Sequence, residues 1–383
     1  MKQKLELYFH IPFCERKCLY CDFLSAPATE QTKEQYMEAL LTELVGSAKQ
    51  YKEMVVETVF FGGGTPSTVD AKYIKEICLA IREHFFVSKD AEITIEINPG
   101  TVNRDKLKEY RSAGINRLSI GLQSALDEEL KRLGRIHTWA EFLETYNTAR
   151  ELGFDNINVD LMSALPRQSV EDYKGSLQKL LALTPPPEHI SAYSLILEEG
   201  TPFYRMHKAG EISFPTEEED RAMYHLTKEV LAEAGYQRYE ISNYALPGKE
   251  CRHNSGYWRR VNYVGYGIGA ASLVQGQRFQ NTEELGSYIS NPLGEKQVIE
   301  QLTEEDCMEE FMFLGLRMIT GISTGEFEQI FEIPVEEVFG EVIEKNIRDG
   351  LLERFWVEGE ERIRLTETGL DVSNYVMAQF LLD

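Results

Sequence analysis

Three things are scarce in this sequence. No stretch approaches the about 18 consecutive apolar residues that a membrane-spanning helix needs. The N-terminus enters an alternating pattern at once, without the apolar core and small-residue cleavage site of a signal peptide. A cytosolic protein is therefore expected. Positive charge is in deficit: Lys and Arg number 40 against 63 Asp and Glu, a net charge of −23. Such a field repels polyanions, which speaks against nonspecific nucleic-acid binding and against a basic membrane-surface helix. Cysteine is sparse too, six in 383 residues, which excludes a disulfide scaffold. What is present, 43% hydrophobic and 27% charged residues, is an ordinary globular balance over a length that suits two or three domains.

The first half reads as repeated strand-then-helix units. Short apolar, β-branched runs occur at 5–11, 58–61, 93–97, 117–121, 157–161 and 190–196, with helical periodicity at 36–51, 71–86, 104–114, 138–153 and 170–183. Gly114 and Gly153 stand where helix C-caps belong. Strands alternating with helices imply a parallel sheet with right-handed crossovers. Six units fall short of the eight of a closed barrel, so the expected fold class is α/β, a partial (β/α)6 barrel. A long acidic helix, 217–235, follows. The segment 236–276 turns rich in Tyr, Asn, Gly and Arg, and Gly265, Gly267 and Gly269 favour loops or close backbone approach. From Leu302 the pattern is mainly helical, with an alternating Arg362–Leu365 strand and a last helix through Leu381, a winged-helix-like arrangement. The expected domains are 1–235, a connecting segment 236–300, and 301–383.

Three of the six cysteines are clustered. Cys14, Cys18 and Cys21 form C-x3-C-x2-C directly after the first strand. Three thiolates on one loop can ligate three irons of a cubane cluster and leave the fourth iron open for a substrate. Structural zinc is the competing reading, but it usually takes four protein ligands, and only His10 lies near. Polar or glycine-rich sequence recurs after the other strands: Gly62-Gly63-Gly64-Thr65-Pro66, then Glu96, Gln123 and Asp160, with Arg135 twelve residues after Gln123. Ligands of parallel α/β folds bind at these strand ends.

This motif order resembles the radical S-adenosylmethionine (SAM) superfamily. The resemblance implies a [4Fe–4S] cluster on Cys14, Cys18 and Cys21 whose open iron chelates SAM, with reductive cleavage to a 5′-deoxyadenosyl radical. It further implies that Gly63, Gly64 and Thr65 receive the methionine amino group, that Gln123 and Asp160 meet the ribose, and that Arg135 meets the carboxylate. Glu96 would pair with a cationic group of the ligand, and Tyr8, Tyr20 and Ser194 would line the same pocket.

Over nearly the whole chain the sequence is similar to the branch that holds oxygen-independent coproporphyrinogen III oxidase and the HemW-type heme chaperones. The oxidase carries a fourth cysteine two residues after the third, where this chain has Phe23, and an extension ahead of the first strand. Both departures speak against coproporphyrinogen decarboxylation, which stays as the alternative reading: a radical oxidoreductase on that or a related tetrapyrrole. His253-Asn254-Ser255-Gly256-Tyr257-Trp258 matches the H-N-x-x-Y-W motif of the chaperone group. An imidazole can ligate heme iron, Tyr and Trp offer faces to a porphyrin, and Arg252, Arg259 and Arg260 could meet propionates. The resemblance thus implies heme at His253, Asn254, Tyr257 and Trp258. It also implies delivery to heme-acceptor proteins of the respiratory chain, through a transient membrane encounter and without nucleic acid. One loop departs from the branch: Ala164-Leu165-Pro166-Arg167-Gln168-Ser169 replaces Gly-Leu-Pro-Gly-Gln-Thr, and the loss of two glycines narrows its backbone options.

Overall fold

The computed structural model describes residues 2–382. Six parallel strands pair in sequence order: β1 (Gln3–Ile11), β2 (Met54–Gly63), β3 (Val87–Ile97), β4 (Arg117–Gln123), β5 (Ile157–Ser163) and β6 (His189–Ser194). The alternation along β1 explains the layering. Leu5, Leu7, Phe9 and Ile11 are fully buried with Leu40 and Leu44 of the first helix, Glu30–Ser47, on the outer face. Glu6, Tyr8 and His10 point to the opposite, inner face. The inner face repeats this polarity with Glu92 and Glu96 on β3, Arg117 and Ser119 on β4, and Asn158 and Asp160 on β5. A parallel sheet that is apolar toward its helices and polar inside is built to hold a ligand rather than a dry core.

The α/β partial barrel expected from the sequence is the observed class; β1 to β5 run longer than the apolar runs suggest, whereas β6 ends two residues before its run does. The sheet also continues past both ends of the six. The short strands β7 (Gln237–Arg238) and β8 (Asn243–Ala245) follow β6, β8 antiparallel to it. On the other edge β9 (Asn262–Tyr266) pairs with β1 in parallel, Leu5 opposite Asn262, and carries β10 (Ala271–Val274), β11 (Gln277–Gln280) and β12 (Gln297–Gln301). The glycines of 265–269 thus sit in and after a strand, not in loops alone. Their close backbone approach is real: a Cβ on Gly267 would lie 2.6 Å from the His10 carbonyl oxygen.

A second hydrophobic cluster, from Met308 to Phe380, belongs to the C-terminal part. Helices Glu304–Gly315, Thr324–Phe331 and Val335–Arg348 pack on a three-stranded sheet of Ile322–Ser323, Glu360–Leu365 and Leu352–Val357. The single last helix expected through Leu381 is broken into Glu367–Asp371 and Ser373–Met377 with a final turn at Ala378–Phe380. No helix among the described residues is long and apolar enough to cross a membrane.

The departing loop after β5 keeps a glycine-like course without glycine. Ala164 and Arg167 both have left-handed backbone, φ 55° and 60°. The strain is about 1–2 kcal/mol per residue. It is held in place by Gln168, which accepts from the Leu165 amide (3.2 Å) and donates to Glu129 (3.0 Å).

Candidate functional site

The C-terminal ends of the strands surround a cavity of about 470 Å³. Cys14, Cys18 and Cys21 stand in its lining with Glu96, Gln123, Arg135, Asp160 and Ser194. The cysteine loop reaches this position through backbone bonds. The Ala26 amide donates to the Pro12 carbonyl (2.9 Å) and the Cys14 amide to Ala26 (3.2 Å), which closes the loop at its neck. Leu19 donates to the Leu133 carbonyl (3.1 Å), which ties the loop to the helix after β4. The glycine loop is laced to the same neck, Gly64 to Ile11 (2.9 Å) and Thr65 to Phe13 (2.8 Å). A Cβ on Gly64 would lie 2.8 Å from the Phe13 carbonyl oxygen, so glycine is needed for the two loops to touch.

A chain of polar contacts runs around the thiols. The Thr65 hydroxyl lies 3.6 Å from Cys14 Sγ and accepts from Asn98 Nδ2 (3.0 Å). Asn98 Oδ1 accepts from Arg135, which also donates to the Gly121 carbonyl and reaches Cys18 Sγ at 3.8 Å. Among the described residues, no group of three or more His, Cys, Asp and Glu side chains is arranged to hold a single metal ion. Ligands to a cubane do not converge on one atom, and three half-buried thiols lining one cavity fit the donor set that such a cluster would need. Asn98 links the glycine loop to Arg135, yet the sequence marks it only as the residue before Pro99.

The cavity is charged on both signs. Arg135, half-buried, shares the lining with two half-buried carboxyls, Glu96 and Asp160. Burial, and then the neighbouring Asp160, push Glu96 up to about 8, although it accepts from the Gly63 amide. Burial also raises Asp160, against a bond from Asn158 (2.7 Å). A zwitterion with hydroxyls, ammonium toward the carboxyls and carboxylate toward Arg135, is the chemistry this set suits. Gln123 is held in left-handed backbone, φ 72°, and its Oε1 accepts from Tyr193 (3.1 Å). Tyr20 also lines the cavity, whereas Ser194 spends its hydroxyl on Asp220 (2.6 Å). Tyr8 stands apart from the lining. Its ring packs on Phe60 and its hydroxyl meets His10 Nδ1 (3.1 Å), below the glycine loop.

Glu96 makes the ligand-free protein pH-sensitive. An unfolded glutamate ionises near 4.5, whereas this one keeps its proton to about 8. Its contribution to stability is therefore complete below about 4.5 and is lost as pH rises through about 8. The Glu96→Gln variant is expected to gain stability over the parent progressively across that window. Paired denaturant titrations at pH 5 and pH 8.5 measure it, and an equal difference at both pH values would refute it.

The six-residue motif His253–Trp258 is folded into a short helix with its histidine turned inward. It lies in the short helix Arg252–Trp258, whose first amides donate to the Glu92 carboxylate, Arg252 at 3.1 Å and His253 at 3.2 Å. His253 is 1% exposed and stacked on Phe60, with ring centroids 5.0 Å apart. Both ring nitrogens are engaged, Nδ1 with Thr58 (2.6 Å) and Nε2 with Tyr257 (2.9 Å). Burial pushes its pKa down to about 3, so it is neutral. Tyr257 packs edge-on against Tyr263, and Trp258 lies under the Arg317 guanidinium. Cys251 is fully buried beside Glu92. Of the motif only Asn254 reaches the cofactor cavity. Arg252, Ser255 and Gly256 face a second cavity of about 410 Å³ on the other side of the helix, so the helix is a partition between the two.

Comparison with known proteins fits this geometry. The family model of the radical SAM superfamily matches residues 8–180, and that of the HemN C-terminal domain matches 302–372. Heme chaperone HemW of Lactococcus lactis is 36% identical over 98% of this chain and 97% of its own. Heme chaperone HemW of Bacillus subtilis is 34% identical over 98% of both chains. Among solved structures, coproporphyrinogen III oxidase (HemN) from Escherichia coli, a radical SAM enzyme, superposes with a TM-score of 0.85. It is 25% identical and covers 99% of this chain and 90% of its own.

Proposed function

The chain belongs to the HemW group of the radical SAM superfamily, and from that premise we propose that it is a heme chaperone. In this reading it binds heme and hands it to heme-acceptor proteins, with respiratory-chain proteins as the expected recipients. The observation that carries the proposal is full-length similarity to proteins named as heme chaperones, without the oxidase's fourth cysteine. Cys14, Cys18 and Cys21 would hold a [4Fe–4S] cluster. SAM would occupy the cavity, with Glu96 at its ammonium, Arg135 at its carboxylate, and Gln123 and Asp160 at its ribose. When bound, this pair supplies one-electron chemistry. The chain's own residues orient the ligand and exclude water: Arg135 and Asn98 fix the loops that bring thiols and ligand together.

The overall likeness to the oxidase favours a second reading, a radical oxidoreductase acting on a tetrapyrrole. One anaerobic experiment on cluster-loaded protein separates them. The chaperone reading expects stoichiometric heme binding, transfer of that heme to a heme-depleted respiratory membrane preparation, and no vinyl product from coproporphyrinogen III. Vinyl product formed in proportion to 5′-deoxyadenosine, without heme transfer, would replace it with the second reading.

A further inference from the structure

The motif helix shows different faces to the two cavities. Toward the cofactor cavity it gives Asn254 alone. Toward the second cavity it gives Arg252, Ser255 and Gly256, and Arg259, the residue that caps its C-terminus, lines that cavity too. The second cavity also comes close to the imidazole. Thr58 and Glu6 both line it, and Thr58 Oγ1 lies 2.6 Å and Glu6 Oε2 3.9 Å from His253 Nδ1. Met318, Val261 and Tyr239 add apolar surface to its wall.

The charges around this cavity divide into engaged and free. Its cations are Lys4, Arg252 and Arg259, and its acids are Glu6, Glu57 and Glu250. Arg252 pairs with Glu57 (2.7 Å) and donates to the Asp90 carbonyl (2.6 Å). Arg260, the third arginine beside the motif, pairs with Glu310 (2.9 Å) and stands outside the lining. Lys4 and Arg259 are left. Both are exposed, and neither forms an ion pair among the described residues. They share one rim because β9 pairs with β1, Asn262 opposite Leu5. Glu6 is 2% exposed and lies at the floor against His253. Glu250, half-buried, accepts from the Gly248 amide (3.4 Å). Two free cations thus face one acid at this rim, in a chain that carries 63 acids against 40 bases. That excess suits the paired carboxylates of an otherwise apolar ligand.

We infer that Lys4 and Arg259, at the rim of the second cavity, bind the two propionates of a heme carried at the His253 helix. The inference rests on the chaperone reading and on heme at this motif, and it adds two residues that the motif does not contain, one from β1 and one just past the helix. It also selects among the three arginines that flank the motif: Arg252 and Arg260 hold the helix to Glu57 and Glu310, and Arg259 is the one free to meet a ligand. Cargo and cofactor then lie on opposite sides of one helix.

The test is an anaerobic titration of the cluster-loaded full chain with hemin and with hemin dimethyl ester, whose propionates carry no charge, beside the Lys4→Gln/Arg259→Gln double variant, read by the Soret shift. Both side chains are exposed and without ion-pair partners, so the variant folds, and its melting curve and iron and sulfide content verify that. The parent is expected to bind hemin on the order of tenfold or more tighter than the ester. The variant is expected to lose that preference, its Kd for hemin rising to the ester's and its Kd for the ester unchanged. An unchanged Kd for hemin in the variant overturns the inference and leaves the chaperone reading standing. Equal weakening of hemin and ester also overturns it, because the two cations then act on the helix and not on the propionates. No saturable heme binding by the parent protein overturns both.

Discussion

Cys14→Ser, Cys18→Ser or Cys21→Ser is expected to reduce the iron and acid-labile sulfide of anaerobically reconstituted protein to background while leaving the fold intact. Three ligands are the minimum for a site-differentiated cubane, and a serine hydroxyl does not ionise near neutral pH as a thiol can. The fold survives because the loop is held by main-chain bonds at Cys14, Leu19 and Ala26, and the thiols themselves are only half buried. Stability should stay within about 1 kcal/mol of the parent. The other cysteines are the contrast. Cys78 and Cys251 are buried thiols whose pKa burial pushes up to about 12, which is the character of packing residues. Cys78→Ala and Cys251→Ala should cost stability and keep the cluster. A cluster lost in Cys251→Ala, in protein that still folds, would refute the assignment of ligands.

Gly63→Ala is the second large effect. The backbone at Gly63 has φ 110°, outside the range side chains tolerate, and a Cβ there would lie 2.8 Å from two atoms of the His10 ring. That ring cannot yield freely: Tyr8 holds Nδ1 (3.1 Å) and the Leu24 carbonyl holds Nε2 (2.9 Å). The Gly63 amide also donates to Glu96. Strain and overpacking together should cost on the order of 2–4 kcal/mol. SAM affinity should fall at least about tenfold, because the same backbone carries Gly64 and Thr65 into the cavity. Gly100→Ala is the control. It has φ 84° but nothing within 4 Å of the added carbon, so it bears the backbone strain alone. Equal losses in the two variants would show that the contact with His10 contributes nothing.

Much of the cofactor cavity was legible because its signals are local. Cys14, Cys18 and Cys21 are one loop, and their spacing is read without any tertiary information. Glu96, Gln123 and Asp160 were found from strand ends, since a parallel sheet with right-handed crossovers sends every strand end to the same side. Tyr8 shares the inner face of β1 with His10 and lies beneath the glycine loop, a depth that the sequence does not give. Asn98 was overlooked because its partners, Thr65 and Arg135, lie 33 and 37 residues away and no period links them. His253 shows the same limit. Its surroundings are Phe60 and Thr58, and the Thr58 contact spans 195 residues. The motif's spacing shows a histidine beside Tyr, Trp and three arginines, but not that its two nitrogens meet Thr58 and Tyr257.

The sequence by itself determined the βα alternation and the loop that gathers three thiols, because each is written in local spacings of a few residues. Only the tertiary structure decided that β9 pairs beside β1, that Asn98 joins the glycine loop to Arg135, and that the His253 helix closes the space between two cavities. Those outcomes depend on which buried polar groups find partners across the barrel. Unpaired groups are costly there, and the partners are distant in the chain.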